Sequence, residues 1–237
     1  MEITVSFFDL MLVAAIYCYV LSLIIVSGVL GKWRNLGATF TRRVIHLFAG
    51  DAFLLIPLFT SPWYPALIPI GLALLTIYSF TFKKKSAITK SMVEAGDVAL
   101  HAYGPVYYIL SILVLVFLLW ERKDVAMSAV MVMAWGDGAS SLIPKMLKKV
   151  HRYPFGDRSL EGTLSMFTFG FLGSLLAFTL ATRFGVCTFA FHEILILAAF
   201  ASGTGAVVEA LTIGPLRHFD NFTVPIVTAF ALLLVTS

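Results

Sequence analysis

Eight apolar runs, near residues 6–30, 44–60, 63–82, 100–120, 126–147, 161–182, 191–213 and 222–236, take up most of this 237-residue chain. Most reach the roughly 20 residues that a helix needs to cross about 30 Å of hydrocarbon. A segment immersed in lipid must satisfy its backbone internally, so runs of this kind fold as helices. With 59% hydrophobic and 13% charged residues, the composition excludes an ordinary soluble globule. The expected fold is therefore an all-α integral membrane protein, a bundle of about eight transmembrane helices with some broken or kinked, forming a single domain over residues 1–237. The first run is longer than a signal-peptide core and ends in Gly31-Lys32-Trp33-Arg34 without a small-x-small cleavage pattern. It is read as a retained anchor. Cys18 and Cys187 lack any metal-binding or redox spacing and read as packing thiols.

The cations are sorted by loop. Of the 17 Lys and Arg residues, all but Arg122, Lys123 and Arg183 fall in segments 31–43, 83–99, 145–160 and 214–221. The positive-inside rule places those segments in the cytoplasm and both termini outside. A basic surface of this kind also attracts anionic lipid, which is the simpler reading of Lys83-Lys84-Lys85. The basic loops are short and flank helices, so nothing recommends a nucleic acid as partner.

A charge inside an apolar helix costs several kcal/mol unless it is paired or wet, which makes intramembrane acids functional candidates. Asp137 is foremost among them. Gly136 and Gly138 bare the backbone beside it, Ser141 lies one turn on, and Pro144 removes a helix hydrogen bond and predicts a break there. Beyond it come Lys145, Lys148, Lys149, His151 and Arg152, and then Asp157-Arg158-Ser159-Leu160-Glu161-Gly162-Thr163 opening the next apolar run. Ser159 suits the N-cap position, and the free N–H groups of that first turn favour an anion such as phosphate. Arg158 would add a fork of donors. Glu161 either complements the helix dipole or holds Mg²⁺.

Arg42, Arg43 and His46 open the second run on one helix face and form a basic corner, while Asp51 lies on another face as a buried pairing residue. In the seventh run, Gly203-Thr204-Gly205 allows close helix approach. Glu209 follows it, and Asp220 and Asn221 stand before the last run. Asp137, Glu209, Asp220 and Asn221 are oxygen donors able to share Mg²⁺ with phosphate oxygens, although Asp220-Asn221 would equally serve to cap the last helix. Glu94, Asp97 and His101 share a helical face and form a weaker metal candidate.

These residues resemble the CTP-dependent polyprenol kinases, the family of dolichol, phytol and farnesol kinases, and more distantly the CDP-diacylglycerol synthases. The resemblance rests on Arg42-Arg43-Val44-Ile45-His46 with Gly50, on Tyr103-Gly104-Pro105-Val106-Tyr107-Tyr108, on Gly136-Asp137-Gly138-Ala139-Ser140, on Ser159-Leu160-Glu161-Gly162-Thr163, and on Glu209-Ala210 with Asp220-Asn221 and Pro225. It departs from the family pattern at Pro144 and Lys148, where glycines are usual, and at Asp157-Arg158, where the approach to the turn is usually lysine-rich.

The resemblance implies an enzyme moving the γ-phosphoryl group of CTP to the hydroxyl of an isoprenoid alcohol drawn from the bilayer, with Mg²⁺. It implies that Asp137 is the nucleotide and metal acid, that Arg158 to Gly162 form the phosphate turn, and that Glu209, Asp220 and Asn221 are the later acidic motif. Asp137 and His46 are the candidate catalytic groups. Lys145, Lys148, Arg158, Ser159, Glu161, Gly162, Thr163, Arg42 and Arg43 are the candidate nucleotide ligands. A cytidylyltransferase making a CDP-lipid, or a lipid transporter, would share some of these features.

Overall fold

The computed structural model describes residues 6–34, 38–82, 103–154, 156, 158–212 and 219–237. Among them the regular structure is helical. In order it comprises α1 (Phe7–Trp33), α2 (Ala38–Ala49), a 3₁₀ segment (Gly50–Leu58), α3 (Trp63–Phe82), α4 (Tyr103–Leu118), a 3₁₀ turn (Trp120–Arg122), α5 (Lys123–Met131), a π segment (Val132–Asp137), α6 (Gly138–Met146), α7 (Leu160–Arg183), α8 (Phe191–Leu211) and α9 (Asp220–Thr236). The candidate triad Glu94, Asp97 and His101, and Lys83 to Lys85, lie outside the described residues.

Four helical stretches among the described residues are long and apolar enough to cross a membrane: Phe7–Gly31, Trp120–Met146, Leu160–Arg183 and Phe191–Leu211. Shorter apolar stretches run through Trp63–Leu75, Val106–Leu118 and Asp220–Thr236. The expected second run is not one α-helix. It changes at Gly50 from α to 3₁₀ winding and ends at Pro57-Leu58. At about 2.0 Å per residue this winding gains length, and it aligns every third side chain.

The Trp120–Met146 stretch is the axis of the bundle, and Val125 through Ala134 are wholly buried. Burial on all sides explains why this run reads as apolar without an amphipathic period. Small residues let α7 and α8 approach it. A Cβ at Gly173 would stand 3.1 Å from the Met131 carbonyl oxygen, and one at Gly205 would collide with Val132 Cγ1. Gly203, paired with Gly205 in the sequence reading, faces nothing closer than Phe167 at 4.0 Å. Ser128 and Ser174 join α5 to α7 through a buried 2.7 Å hydrogen bond, a polar tie of the kind that supplements packing where lipid supplies no hydrophobic drive.

At the other extreme, α1 buries a single stripe of Asp9, Val13, Ile16, Val20, Ile24, Ser27 and Gly31 and exposes Phe8, Met11, Ile25 and Val29. An apolar outer face of this extent suits lipid and not water. Cys18 and Cys187 are both free thiols, the first exposed and the second partly buried.

Candidate functional site

The axial stretch carries an acid near each end. Asp137 closes the π segment, and the irregular turn therefore precedes the acid, whereas the sequence pattern places the break after it at Pro144. Pro144 instead sits inside α6, in its last turn. It cannot donate to Ser140, and Gly162 of α7 packs there: a Cβ on Gly162 would lie 3.2 Å from the Ser140 carbonyl oxygen and 3.7 Å from Pro144 Cγ. Widened π turns concentrate at functional sites because the extra residue re-aims side chains.

Asp137 is 2% exposed, and Oδ2 faces the Arg43 guanidinium and the His46 imidazole from α2. Arg43 donates from Nη1 at 3.4 Å, and His46 Nε2 lies 3.5 Å away and 3.4 Å from the Met133 carbonyl oxygen. His46 is held from behind by Tyr108, whose ring centroid is 4.6 Å away and whose hydroxyl donates to the His46 carbonyl oxygen at 3.3 Å. Beside it Asp51 accepts a 2.7 Å hydrogen bond from the Trp135 indole, which ties the 3₁₀ segment to the π segment. That pairing supplies the partner the sequence left unnamed.

The second half of the cluster is organised by Arg158. A narrow loop carries it: the Tyr153 amide donates to the Arg158 carbonyl at 2.9 Å, and the Leu160 amide donates to the His151 carbonyl at 2.9 Å. Ser159 then caps α7 by accepting from the Gly162 amide at 3.1 Å. Glu161 clamps the loop, taking the His151 amide and its Nδ1, the latter at 2.6 Å.

The Arg158 guanidinium, 9% exposed, bridges Glu209 through Nη1 and Asp220 Oδ2 through Nη2 at 3.1 Å. Its Nη2 also reaches Thr212 Oγ1 at 3.5 Å. Burial disfavours its charge, but the carboxylates of Glu209, Asp137 and Asp220 outweigh that and hold its pKa above the ordinary value. Ser140 donates to Glu209 Oε1 at 3.3 Å and so links the two halves.

Residues 43, 46, 137, 158, 209 and 220, far apart in the chain, thus meet at one end of the bundle. Asp220 also accepts from the adjacent Asn221 amide at 2.8 Å, but it is the first residue of α9 and not its cap: Phe219 holds the N-cap position and no side chain caps the helix there. The expected neighbour Ser141 turns back to the Gly138 carbonyl at 3.0 Å, and it is Ser140, three residues from Asp137, that reaches the acids. Lys145 and Lys148 are exposed at the end of α6 and just beyond it. Glu161 faces His151 and takes no part in the acid cluster. Thr212 carries little signal in the sequence beyond its one-turn spacing after Glu209.

Asp137 Oδ1, Glu209 Oε2, Arg158 Nε and Thr163 Oγ1 are buried without a hydrogen-bond partner among the described residues. Buried polar atoms are ordinarily satisfied, and two of these are carboxylate oxygens of the hard kind that divalent cations take. No three His, Cys, Asp or Glu side chains among the described residues form a metal cage. The donor set fits a cation held by one or two carboxylates and completed by phosphate oxygens, which is how Mg²⁺ is commonly bound.

Directly beside the cluster an apolar cleft runs between α1, α2, the 3₁₀ segment, α3 and α4. Its polar lining residues are Arg42, His46, Tyr108 and Asn221, and the remainder is aliphatic or aromatic.

The chain is 31% identical over 217 residues to a phytol kinase of Synechocystis, an alignment covering 89% of this chain and 85% of that protein. It is 26% identical over 223 residues to a probable chloroplastic phytol kinase of maize, covering 91% of this chain and 73% of the relative. With a chloroplastic phytol kinase of Arabidopsis thaliana it shares 26% identity over 200 residues, 81% of this chain and 65% of the relative. No family model matches the chain. No solved structure matches it either.

Proposed function

The chain belongs to the phytol kinase family, and on that premise we propose that it moves the γ-phosphoryl group of CTP to the terminal hydroxyl of a long-chain isoprenoid alcohol of the phytol, dolichol or geranylgeraniol type. The products are the lipid monophosphate and CDP. One observation carries the reading: His46 lines the apolar cleft and also stands beside Asp137, so a greasy tail lying in the cleft brings its hydroxyl to the charged cluster.

Phosphoryl transfer asks a protein mainly for positioning and for offsetting negative charge. In this reading Arg43 and Arg158 meet the triphosphate, and Arg42, Lys145 and Lys148 extend the basic rim. The start of α7 at Ser159 to Thr163 favours it through the helix dipole and not through free amides, since those of Leu160, Gly162 and Thr163 are already donated to His151 and Ser159. Of the acids Asp137, Glu209 and Asp220 and the side-chain amide of Asn221, the two acids with a buried oxygen unbonded among the described residues, Asp137 and Glu209, would hold Mg²⁺, which when bound would offset phosphate charge. Asp220 is already taken up by Arg158 and the Asn221 backbone amide. Asp137, or His46 beside it, receives the hydroxyl proton as the alcohol oxygen bonds to the γ-phosphorus and the bond to the β-phosphate oxygen breaks. A loose transition state places small demands on that base.

The full bundle crosses the membrane eight times in this proposal, with the cluster on the cytoplasmic side and both termini opposite. The support is the sorting of basic residues onto one set of loops. Incubating the purified protein with γ-labelled CTP or ATP and a set of prenols tests the assignment. Label should appear in a lipid monophosphate with CDP released. Pyrophosphate release would point instead to a cytidylyltransferase, and absence of nucleotide binding to a transporter.

A further inference from the structure

Resting on the acceptor reading above, we infer that the cleft is a length gauge, its far end set by Phe59 with Ile56 and Ile16 and its middle held open by Ala49 and Ala52. The wall opposite α3 is a single stripe. Residues 42, 46, 49, 52, 56 and 59, flanked by Ile45 and Phe53, recur at three- or four-residue intervals through the α winding of α2 and the 3₁₀ winding of Gly50–Leu58, with Phe59 in extended backbone just past its end. From Arg42 to Phe59 the stripe extends about 28 Å, at about 1.5 Å per α residue and 2.0 Å per 3₁₀ residue. α3 faces it with Pro65, Ile68, Pro69, Leu72 and Leu75, a face about 15 Å long.

The two ends of the cleft differ in kind. The near end carries Arg42, His46, Tyr108 and Asn221 and adjoins the acid cluster. The far end is apolar and tied shut around Phe59, itself 3% exposed. The next residue, Thr60, binds Asp9 through its amide at 3.0 Å and its hydroxyl at 2.6 Å. The Tyr64 hydroxyl accepts from the Ser6 amide at 2.8 Å, and the Tyr17 hydroxyl donates to the Leu67 carbonyl at 2.7 Å. These ties fix α1 against the start of α3, so the floor does not recede before a longer tail. An alcohol with its hydroxyl at His46 therefore lays its tail toward Phe59, and isoprene units beyond that ring have no apolar wall to lie on. Ala49 and Ala52 are the small side chains of the stripe, and bulk added there stops a tail short of the floor.

The test is a length profile for two opposed variants, taken as kcat/KM with γ-labelled CTP over geraniol, farnesol, geranylgeraniol and a longer polyprenol. Ala52→Phe should lower geranylgeraniol relative to geraniol by about tenfold or more, and Phe59→Ala should raise the longer polyprenol relative to geranylgeraniol by about tenfold, since each isoprene unit is several methylenes of buried surface. The KM for nucleotide should stay within about twofold in both, as is expected for changes remote from the phosphates. Profiles that keep the wild-type shape, or that fall in parallel for every alcohol, would overturn the gauge. Retention of one co-purifying phospholipid that no alcohol displaces would overturn it too. A wild-type protein that labels none of the alcohols would remove the acceptor reading itself, a separate and recognisable failure.

Discussion

Asp124 and Asp137 stand near the two ends of the same axial stretch, thirteen residues and roughly 20 Å apart, and they are held in opposite ways. Asp124 lies in the first turn of α5, where the helix dipole favours an anion. Arg122 closes both its oxygens in a fork, Nε to Oδ1 and Nη2 to Oδ2, each at 3.2 Å, and the same Nη2 reaches Thr236 Oγ1 at 2.6 Å. Asp137 shares one oxygen between Arg43 and His46 and leaves the other buried and unbonded among the described residues. α9 measures the separation independently: its last turn meets Arg122 and its first turn meets Arg158, about 24 Å apart. A saturated acid ties helices together, whereas an unsaturated one keeps capacity for something that arrives later.

The largest expected effect comes from the unsaturated end. Asp137→Asn should lower lipid phosphorylation by about a thousandfold, on the scale of losing a preorganised electrostatic group, with circular dichroism unchanged. Undiminished labelling would remove Asp137 from the reaction. Arg158→Gln should destabilise the fold by about 3–5 kcal/mol, because Glu209 and Asp220 would keep their burial and lose their shared cation. Thermal unfolding in detergent measures this, and Arg158→Lys should recover only part of it.

Asp124→Asn breaks the comparison if it behaves like Asp137→Asn. It should cost about 1.5–3 kcal/mol of stability, the range for a hydrogen bond to a charged group, and leave kcat/KM per folded molecule within about twofold. Ser159→Ala is the smallest, about 1 kcal/mol for a lost N-cap, with a modest rise in nucleotide KM as the loop carrying Arg158 loosens.

The helices are legible in the sequence because lipid leaves the backbone few choices: the runs read at 63–82, 161–182 and 191–213 match α3, α7 and α8 to within about two residues. The gathering of His46, Asp137 and Glu209 at one end is also legible, since ionisable groups at membrane depth are costly unless they pair with one another or face a wet cavity. The windings are not. Asp137's π turn and the 3₁₀ run after Gly50 depend on tertiary fit, such as a Cβ at Gly50 colliding with Ala134 and the Asp51–Trp135 bond, and such pairings leave no periodic trace. Arg158 reads as a phosphate ligand from its loop position, but its contacts with Glu209 and Asp220 join residues more than fifty positions apart. The choice of Ser140 over Ser141 is set by where Glu209 of α8 stands against α6, a contact between residues 69 positions apart.

That π turn acts as a phase shifter on the central rod. One residue more or less in an α-helix swings everything beyond it by about 100° around the axis. Deleting any one position between 132 and 136 would leave the apolar half before it seated against α7 and swing the half after it, carboxylate included, away from α2. The wide turn thus decouples the two halves, letting one be selected for fit and the other for aim.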